Sequence, residues 1–186
     1  LRDVFNYPTV AELAEYVENN GQRKVFEPIP KAENRNCYPM SSAQKRLYVL
    51  NQLGEPNTVY NMSAAISMHG GLDETKVQAS FEKLVEINEI LRTSFHMVYD
   101  QPVQRINEGL AAQIEVEDVV LLDSETISRH LKMFVRPFDL ECAPLIRLKV
   151  LQTADDDNAL LLDMHHIISD GITVNLIAQQ FIDIYN

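Results

Sequence analysis

The sequence predicts an α/β protein in which helices pack on a mixed β-sheet. Strand-like and helix-like segments follow one another in mixed order, as in a sandwich of helices and sheet. The strand-like segments alternate apolar and polar residues or form short apolar runs, while the helix-like segments repeat apolar residues every three or four positions. With 186 residues and no internal repeats, the chain is long enough to bury one sizeable core.

The chain changes character near its N-terminus. Apolar residues within 10–17 lie on one helical face, and Thr9 and Glu12 have the spacing of a capping box. Residues 22–38 mix prolines with charged and polar residues, which is typical of an extended linker. We therefore expect three parts: a helical remnant of a neighbouring unit at residues 1–21, a linker at 22–38 and a main domain at 39–186.

The first half of the main domain is predicted to contain two helices, a strand and a hairpin. Ser41 and Gln44 form a second capping-box pattern, and Asp73 has the position of an N-cap for the next helix. Between these helices, apolar residues alternate with small and polar ones, as in a half-buried strand. The signals predict a helix from Ser41 to Gly54, a strand from Tyr60 to His69, a helix ending near Asn88, and a hairpin from Thr93 to Ile106 that turns at Asp100–Pro102.

The second half is predicted to alternate strands with two further helices. One helical face is formed by Ile127, Leu131 and Phe134, and this helix must end by Pro137 because proline disrupts a helix interior. An acidic turn around Asp155–Asp157 separates the last two strands. The predicted elements are a strand at Ile114–Val120, the helix just described, strands at Leu145–Leu151 and Ala159–Met164, and a final amphipathic helix at Ile172–Tyr185.

Charge and cysteine content exclude several classes of protein. The chain has 16 basic and 27 acidic residues and a formal net charge of −11, which argues against nucleic acid or an anionic membrane as a partner. It has no apolar run long enough to span a membrane and no signal-peptide pattern. Cys37 and Cys142 lack CxxC spacing and are expected to be free thiols in a cytoplasmic protein.

The strongest chemical signal is the run His165-His166-Ile167-Ile168-Ser169-Asp170-Gly171, which lies between the last predicted strand and the final helix. A histidine at a strand end is a natural general base because its ordinary pKa is close to neutrality. We predict His166 as the catalytic residue. Gly171 precedes a helix N-terminus, where backbone N–H groups favour negative charge, and a strained loop there would also require glycine.

The other polar residues of this run allow less specific interpretations. His165 is expected to be structural and hydrogen-bonded within the loop, and Asp170 has the position of an N-cap for the final helix. A zinc site built on His165, His166 and Asp170 is disfavoured, since adjacent histidines at a strand end point in different directions and no other ligands cluster nearby. We therefore expect no metal.

Three ordered motifs resemble those of the condensation domains of nonribosomal peptide synthetases, which are relatives of chloramphenicol acetyltransferase. Ser41–Tyr48 is similar to the opening motif of the family, Leu91–Phe95 to the second half of its next motif, and Met164–Gly171 to its active-site motif. Pro137–Leu140 followed by Pro144–Arg147 also fits a weaker family signature. The resemblance implies a chloramphenicol-acetyltransferase-like sandwich of which this chain is the N-terminal lobe only.

The resemblance also implies a reaction and roles for site residues. In the family, the amine of a carrier-bound aminoacyl group attacks an upstream carrier-bound thioester to form a peptide bond. His166 would act as the base or as an orienting group, and Asp170 would form a structural ion pair with an arginine, for which Arg92 is the candidate within this chain. One departure is Ile87-Asn88-Glu89, where the family usually has Arg-His-Glu, so this chain lacks that arginine and that histidine at these positions.

Residues 1–21 resemble the last helix of a peptidyl carrier domain. The Gly-Gly-x-Ser attachment site of that family is absent, so no covalent cofactor is expected, and substrates would arrive on the phosphopantetheine arms of other carriers. The implied partners are donor and acceptor carrier domains, the C-terminal lobe and a neighbouring adenylation domain. A single lobe cannot form a channel between two lobes, so the isolated chain is expected to be inactive.

Two alternative functions remain open. An epimerisation domain shares the His-His-x-x-x-Asp-Gly pattern, although Ser41–Tyr48 favours condensation. The chain could also be a non-catalytic piece that only docks carrier domains. If the chain is a condensation domain, its opening motif followed by Asn51-Gln52-Leu53 resembles the subtype that takes an L-configured donor.

Overall fold

The computed structural model describes residues 2–20, 29–155 and 157–186. The chain divides into two compact units, Leu1–Asn34 and Arg35–Asn186. Much of the predicted linker, and Asp156 of the acidic turn, lie outside the described residues. The domain boundaries proposed from the sequence therefore stay predictions, although the second unit already begins at Arg35.

In the first unit, the described residues form the helices α1 (Arg2–Asn6) and α2 (Val10–Asn20). Helix α2 begins at the predicted capping box: the Thr9 backbone N–H donates to Glu12 Oε2 at 3.1 Å, and the Glu12 N–H donates to Thr9 Oγ1 at 3.3 Å. Helix α1 was not predicted, because five residues are too few to show a helical period.

The second unit contains every other element of the described residues. Its strands are β1 (Tyr38–Pro39), β2 (Asn61–His69), β3 (Thr93–Val98), β4 (Gln101–Ile106), β5 (Ile114–Asp118), β6 (Ile146–Gln152) and β7 (Asp157–His165). Its helices are α3 (Ser42–Gln52), α4 (Glu74–Ile87), α5 (Ser124–Phe134) and α6 (Gly171–Tyr185), with a 3-10 helix at Glu89–Arg92. The described part of the chain has no helix with the length and apolarity that crossing a membrane requires.

The main sheet has the strand order β2-β7-β6-β5. Strand β7 pairs antiparallel with both β2 and β6, whereas β5 and β6 are parallel. The predicted mixed sheet is therefore confirmed. A second sheet of order β1-β4-β3 joins the predicted hairpin to the short strand β1, which lies at the start of the unit.

Helices cover both faces of the main sheet. On one face, Leu160 and Leu162 of β7 pack in the main core with Phe81 of α4 and Ile177 of α6. On the other face, α5 packs through Phe134 against a smaller cluster that includes Leu161. Side chains alternate between faces along a strand, so β7 is buried on both sides and its long apolar run is explained.

The hairpin turns one position earlier than predicted. Its two central residues are Tyr99 and Asp100, whose φ angles of 48° and 58° are both positive, as in a type I′ turn. Val98 therefore pairs with Gln101, and Pro102 belongs to β4 instead of the turn. The prediction followed Asp100 and Pro102 as turn residues and missed that a two-residue turn matches the strand twist better.

Replacing Asp100 by glycine should stabilise the domain. A positive φ is strained for a residue with a side chain, so Asp100→Gly should raise the free energy of unfolding by up to about 1 kcal/mol in chemical denaturation. Glu108→Gly is the control, since Glu108 has no positive φ and its replacement should not stabilise. A lower stability for Asp100→Gly would contradict the turn geometry.

Candidate active site

The His-His run lies in a short loop that is tied to two neighbouring segments. Strand β7 ends at His165 and α6 begins at Gly171. The His165 backbone N–H donates to the Leu145 carbonyl at 3.0 Å, and the His166 N–H donates to the Tyr60 carbonyl at 2.8 Å. The start of the loop is therefore fixed from both sides of β7.

His165 faces the interior and orders the loop. His165 is 2% exposed, and its Nδ1 accepts a hydrogen bond from the Ile167 backbone N–H at 3.0 Å. The rings of Tyr60 and Phe138 lie at centroid distances of 6.3 and 6.2 Å. Burial, with a smaller contribution from neighbouring His166, lowers the pKa of His165 to about 4, so this ring is neutral at physiological pH.

His166 is exposed and has one nitrogen available. Its Nδ1 lies 2.5 Å from the Ser169 carbonyl oxygen. A carbonyl can only accept, so Nδ1 carries the proton and Nε2 of the neutral ring keeps its lone pair. Ser169 supports this arrangement, since its own hydroxyl donates to the His165 carbonyl at 3.0 Å. No pattern in the sequence indicated this role of Ser169.

Asp170 caps helix α6. Its Oδ1 accepts from the backbone N–H groups of Ile172 and Thr173 at 3.1 and 2.9 Å and from the Thr173 hydroxyl at 2.7 Å. The bonds from Thr173 contribute most to holding the pKa of this carboxyl below its usual value. Gly171 has no positive φ, and a Cβ placed there would meet no atom within 4 Å, so the expected backbone strain is absent.

Arg92 does not pair with Asp170, which corrects the partner suggested from the sequence. Its Nε donates to the Glu86 carbonyl and its Nη1 to the Asn107 carbonyl, both at 3.2 Å. These bonds join the end of α4 to the segment after β4. None of the ion pairs among the described residues involves Asp170, whose carboxylate is used by the helix cap.

A second polar cluster, not found from the sequence, lies beside His165. The Asp163 side chain is fully buried, and its Oδ2 is 3.0 Å from Arg147 Nη1. Asn61 Nδ2 lies 3.0 Å from each oxygen of the same carboxylate. Burial raises the pKa of Asp163, and the bonds from Asn61 and Arg147 oppose that effect. The sequence feature that could have indicated this cluster is an aspartate inside the otherwise apolar run of β7.

Other features of the described residues lie apart from the loop. No three of their His, Cys, Asp or Glu side chains are grouped so as to hold a metal ion. An apolar cavity of about 290 Å³ lies between α4, α6 and the sheet, but none of its lining residues belongs to 165–171. The chemistry that the geometry offers is therefore that of an exposed histidine on an ordered loop.

The family model and the sequence relatives that match this chain point to the same family. The family model described as "Condensation domain" matches residues 34–186. Bacitracin synthase 2 of Bacillus licheniformis is 40% identical over 185 residues, which cover 100% of this chain and 7% of that protein. Tyrocidine synthase 3 of Brevibacillus parabrevis is 41% identical over 185 residues, 100% of this chain and 3% of that protein. The chain thus spans a small fraction of the length of these relatives.

Solved structures show the same fold. The starter condensation domain of the rhizomide synthetase RzmA superposes with a TM-score of 0.73 at 25% identity, covering 81% of this chain and 38% of that one. The first condensation domain of the CDA synthetase gives a TM-score of 0.71 at 20% identity, covering 80% of this chain and 39% of that one. The chloramphenicol-acetyltransferase-like fold is therefore confirmed, and the chain corresponds to about one lobe of it.

Acid should destabilise the domain partly through His165. Its pKa is 6.5 in an unfolded chain and about 4 when folded, so the unfolded state binds the extra proton between these values. As the pH drops from 6.5 towards 4, this histidine should lower the free energy of unfolding by up to roughly 1.4 kcal/mol per pH unit. His165→Asn keeps an acceptor for the Ile167 N–H but has no group that titrates in this range. Its free energy of unfolding, relative to that of the wild type, should therefore rise as the pH falls. The same difference in unfolding free energy between His165→Asn and wild type at pH 7 and at pH 4.5, measured by chemical denaturation, would contradict this.

Asp170→Ala should lower the melting temperature. The substitution removes the acceptor for the Ile172 and Thr173 N–H groups at the first turn of α6. Asp170→Asn is the matched variant, because asparagine also caps helices, and it should melt close to wild type at neutral pH. The folded-state pKa of Asp170 is lowered, so its stabilising effect is present above the ordinary pKa and is lost as the pH falls through the folded value. An unchanged melting temperature for the alanine variant would refute the capping role.

Proposed function

The chain belongs to the condensation-domain family, and we propose that it supplies the histidine-bearing lobe of a peptide-bond-forming site in a nonribosomal peptide synthetase. The donor is an acyl group held as a thioester on an upstream carrier domain. The acceptor is the amine of an aminoacyl group on a second carrier domain. Neither substrate needs a covalent bond to this chain.

The reaction requires little beyond orientation and proton removal. The amine nitrogen attacks the thioester carbonyl carbon, a C–N bond forms, and the C–S bond breaks to release the donor thiol. A free α-amine has a pKa of about 7.7–8.0, so a useful fraction is already neutral at cytoplasmic pH. The site must then hold that amine against the thioester and accept its proton as the bond forms.

The observation that carries this proposal is the hydrogen bond from His166 Nδ1 to the Ser169 carbonyl. It sets the tautomer in which Nε2 is unprotonated on an exposed ring at the end of β7. That nitrogen can remove the proton during attack or orient the neutral amine by accepting its hydrogen bond. The backbone N–H groups at the start of α6 are mostly engaged by Asp170, so we do not place the oxyanion there.

We propose that further domains of the synthetase work together with this chain. The chain covers 38% of the RzmA condensation domain, and we expect a second lobe to complete the channel, so that the chain alone is inactive. The curated relatives match the whole chain while the family model begins at residue 34, which supports a carrier-domain remnant at residues 1–21. Carrier and adenylation domains are the proposed partners. Free Cys37 and Cys142 are consistent with a cytoplasmic location.

His166→Ala in the intact synthetase should abolish or strongly reduce condensation without unfolding the domain. A positioned histidine contributes about 10²–10⁴-fold, so the single-turnover rate with both carriers loaded should fall by that factor. His166→Gln separates the two roles, since glutamine retains a hydrogen-bonding side chain without a basic nitrogen. A rate between those of wild type and His166→Ala would indicate that His166 orients the amine. A rate as low as that of His166→Ala would indicate that it removes the proton.

The control is His69→Ala. His69 is an exposed histidine at the far end of the β2–β7 pair, where it contacts Asp157 and pairs with it in register. Its replacement should leave the rate unchanged. Product formed by His166→Ala at the wild-type single-turnover rate would overturn the proposed function.

A further inference from the structure

We propose that the buried ion pair between Asp163 and Arg147 positions the loop that carries His166, which makes both side chains positioning residues for the reaction. The inference rests on the function proposed above. Neither side chain has a hydrogen bond or ion pair to His166 among the described residues. They act through the segment Arg136–Phe138 and through the ring of His165.

The sheet register brings the participating side chains together. Asp163 lies two residues before His165 on β7, so both side chains point to the same face. Arg147 of β6 pairs directly with Asp163, and Asn61 of β2 pairs directly with His165. This is the face that α5 covers, and the chain leaving α5 passes over the pair.

Both oxygens of the Asp163 carboxylate accept hydrogen bonds from within the protein. Arg147 Nη1 and Asn61 Nδ2 donate to it at 3.0 Å. Asn61 Nδ2 also donates to the Arg136 carbonyl at 3.0 Å, and the other amide atom, Oδ1, has no hydrogen-bond partner among the described residues. The amide is thus oriented by the carboxylate, and a buried charge of this kind is tolerated only while its partners remain.

Arg147 uses both ends of its guanidinium group. Nη1 donates to the Arg136 carbonyl at 2.7 Å, and Nη2 donates to the Pro137 carbonyl at 2.9 Å. The guanidinium carbon lies 3.6 Å from the centroid of the Phe138 ring. A planar fork that binds two carbonyls and stacks on a ring cannot be reproduced by lysine. Arg147 therefore fixes three consecutive residues on the sheet.

Phe138 transmits this placement to the loop. Its ring meets the ring of His165 edge-on, at an interplanar angle of 86°. His165 Nδ1 in turn holds the backbone N–H of Ile167, so the residues on both sides of His166 are restrained. The His166 N–H donates to the carbonyl of Tyr60, the residue before Asn61. Two paths from Asp163, one on each side of β7, thus end at the backbone of His166 and at its two neighbours in the chain.

A neighbouring ion pair provides a matched control. Lys149 lies two residues after Arg147 on the same face of β6, and its Nζ is 2.5 Å from Glu117 Oε2. The Lys149 side chain is as little exposed as that of Arg147, 16% against 18%. Lys149 Nζ also lies 3.8 Å from Glu115 Oε2, and the other oxygen of that carboxylate binds Arg136 Nη2 at 2.9 Å. Replacing Lys149 therefore removes ion pairs from the sheet while the Arg136–Glu115 pair and every bond of the two paths remain.

The test uses the intact synthetase with its donor carrier loaded, and a soluble aminoacyl N-acetylcysteamine thioester as acceptor, so that kcat and KM can be separated. The variants are Arg147→Lys, Asp163→Asn and Phe138→Leu, with Lys149→Met as control. Rates are corrected for the folded fraction, measured by circular dichroism at the assay temperature. We expect kcat to fall at least about tenfold in the first three variants, with KM changed less than about twofold, because small misplacements of a reacting group reduce turnover. Lys149→Met should retain the wild-type kcat.

The outcomes distinguish this inference from the proposed function. If His166→Ala is inactive while folded Arg147→Lys and Phe138→Leu retain the wild-type kcat, the positioning role is wrong and the proposed function stands. A rise in KM alone, or an equal loss of kcat in Lys149→Met, also overturns the positioning role. If Asp163→Asn does not fold, the other two variants decide, because Phe138→Leu leaves the ion pair intact. A wild-type rate for His166→Ala would instead overturn the function itself.

Discussion

The site depends on the antiparallel pairing of β2 with β7, which runs from Asn61 opposite His165 to His69 opposite Asp157. This register places Tyr60 where its carbonyl can accept the His166 N–H, and it places Asn61 beside Asp163. A shift of one residue would turn His165 and its polar neighbours towards the apolar layer of α4 and α6. The pairing therefore fixes both the position of the loop and the face on which its support is built.

Adjacent histidines acquire different chemistry because the strand ends between them. His165 is the last residue of β7 and is enclosed, so its ring is neutral and serves as an acceptor for the Ile167 N–H. His166 is the first residue of the loop and is exposed, with its proton directed to the Ser169 carbonyl. One residue organises the backbone, and the next presents a basic nitrogen to the substrates of the proposed reaction.

The polar groups around the loop are divided between two tasks. Asp170 begins α6 and is occupied by the helix cap, so in this lobe it anchors the end of the loop without an ion pair to Arg92. Asp163 lies inside the sheet and, with Arg147, secures the beginning of the loop. Elsewhere, Asn88 stands where the condensation family usually has histidine, and its amide joins the Leu84 carbonyl of α4 to Gln180 of α6. Asn88 thus forms a polar link between the two helices that cover the sheet.

The sequence alone determined the order of the helices and strands other than α1, β1 and the 3-10 helix, together with the capping boxes at Thr9 and Ser41, the mixed sheet and the family. These features depend on local periodicity, local hydrogen bonds and motifs. It also singled out the His165–Gly171 run. Only the tertiary structure decided that Asp163 meets Arg147, that Arg92 is engaged elsewhere, and which nitrogen of His166 is free. These facts depend on strand register and on the chain leaving α5, which bring together residues far apart in sequence, and no local pattern encodes such distances.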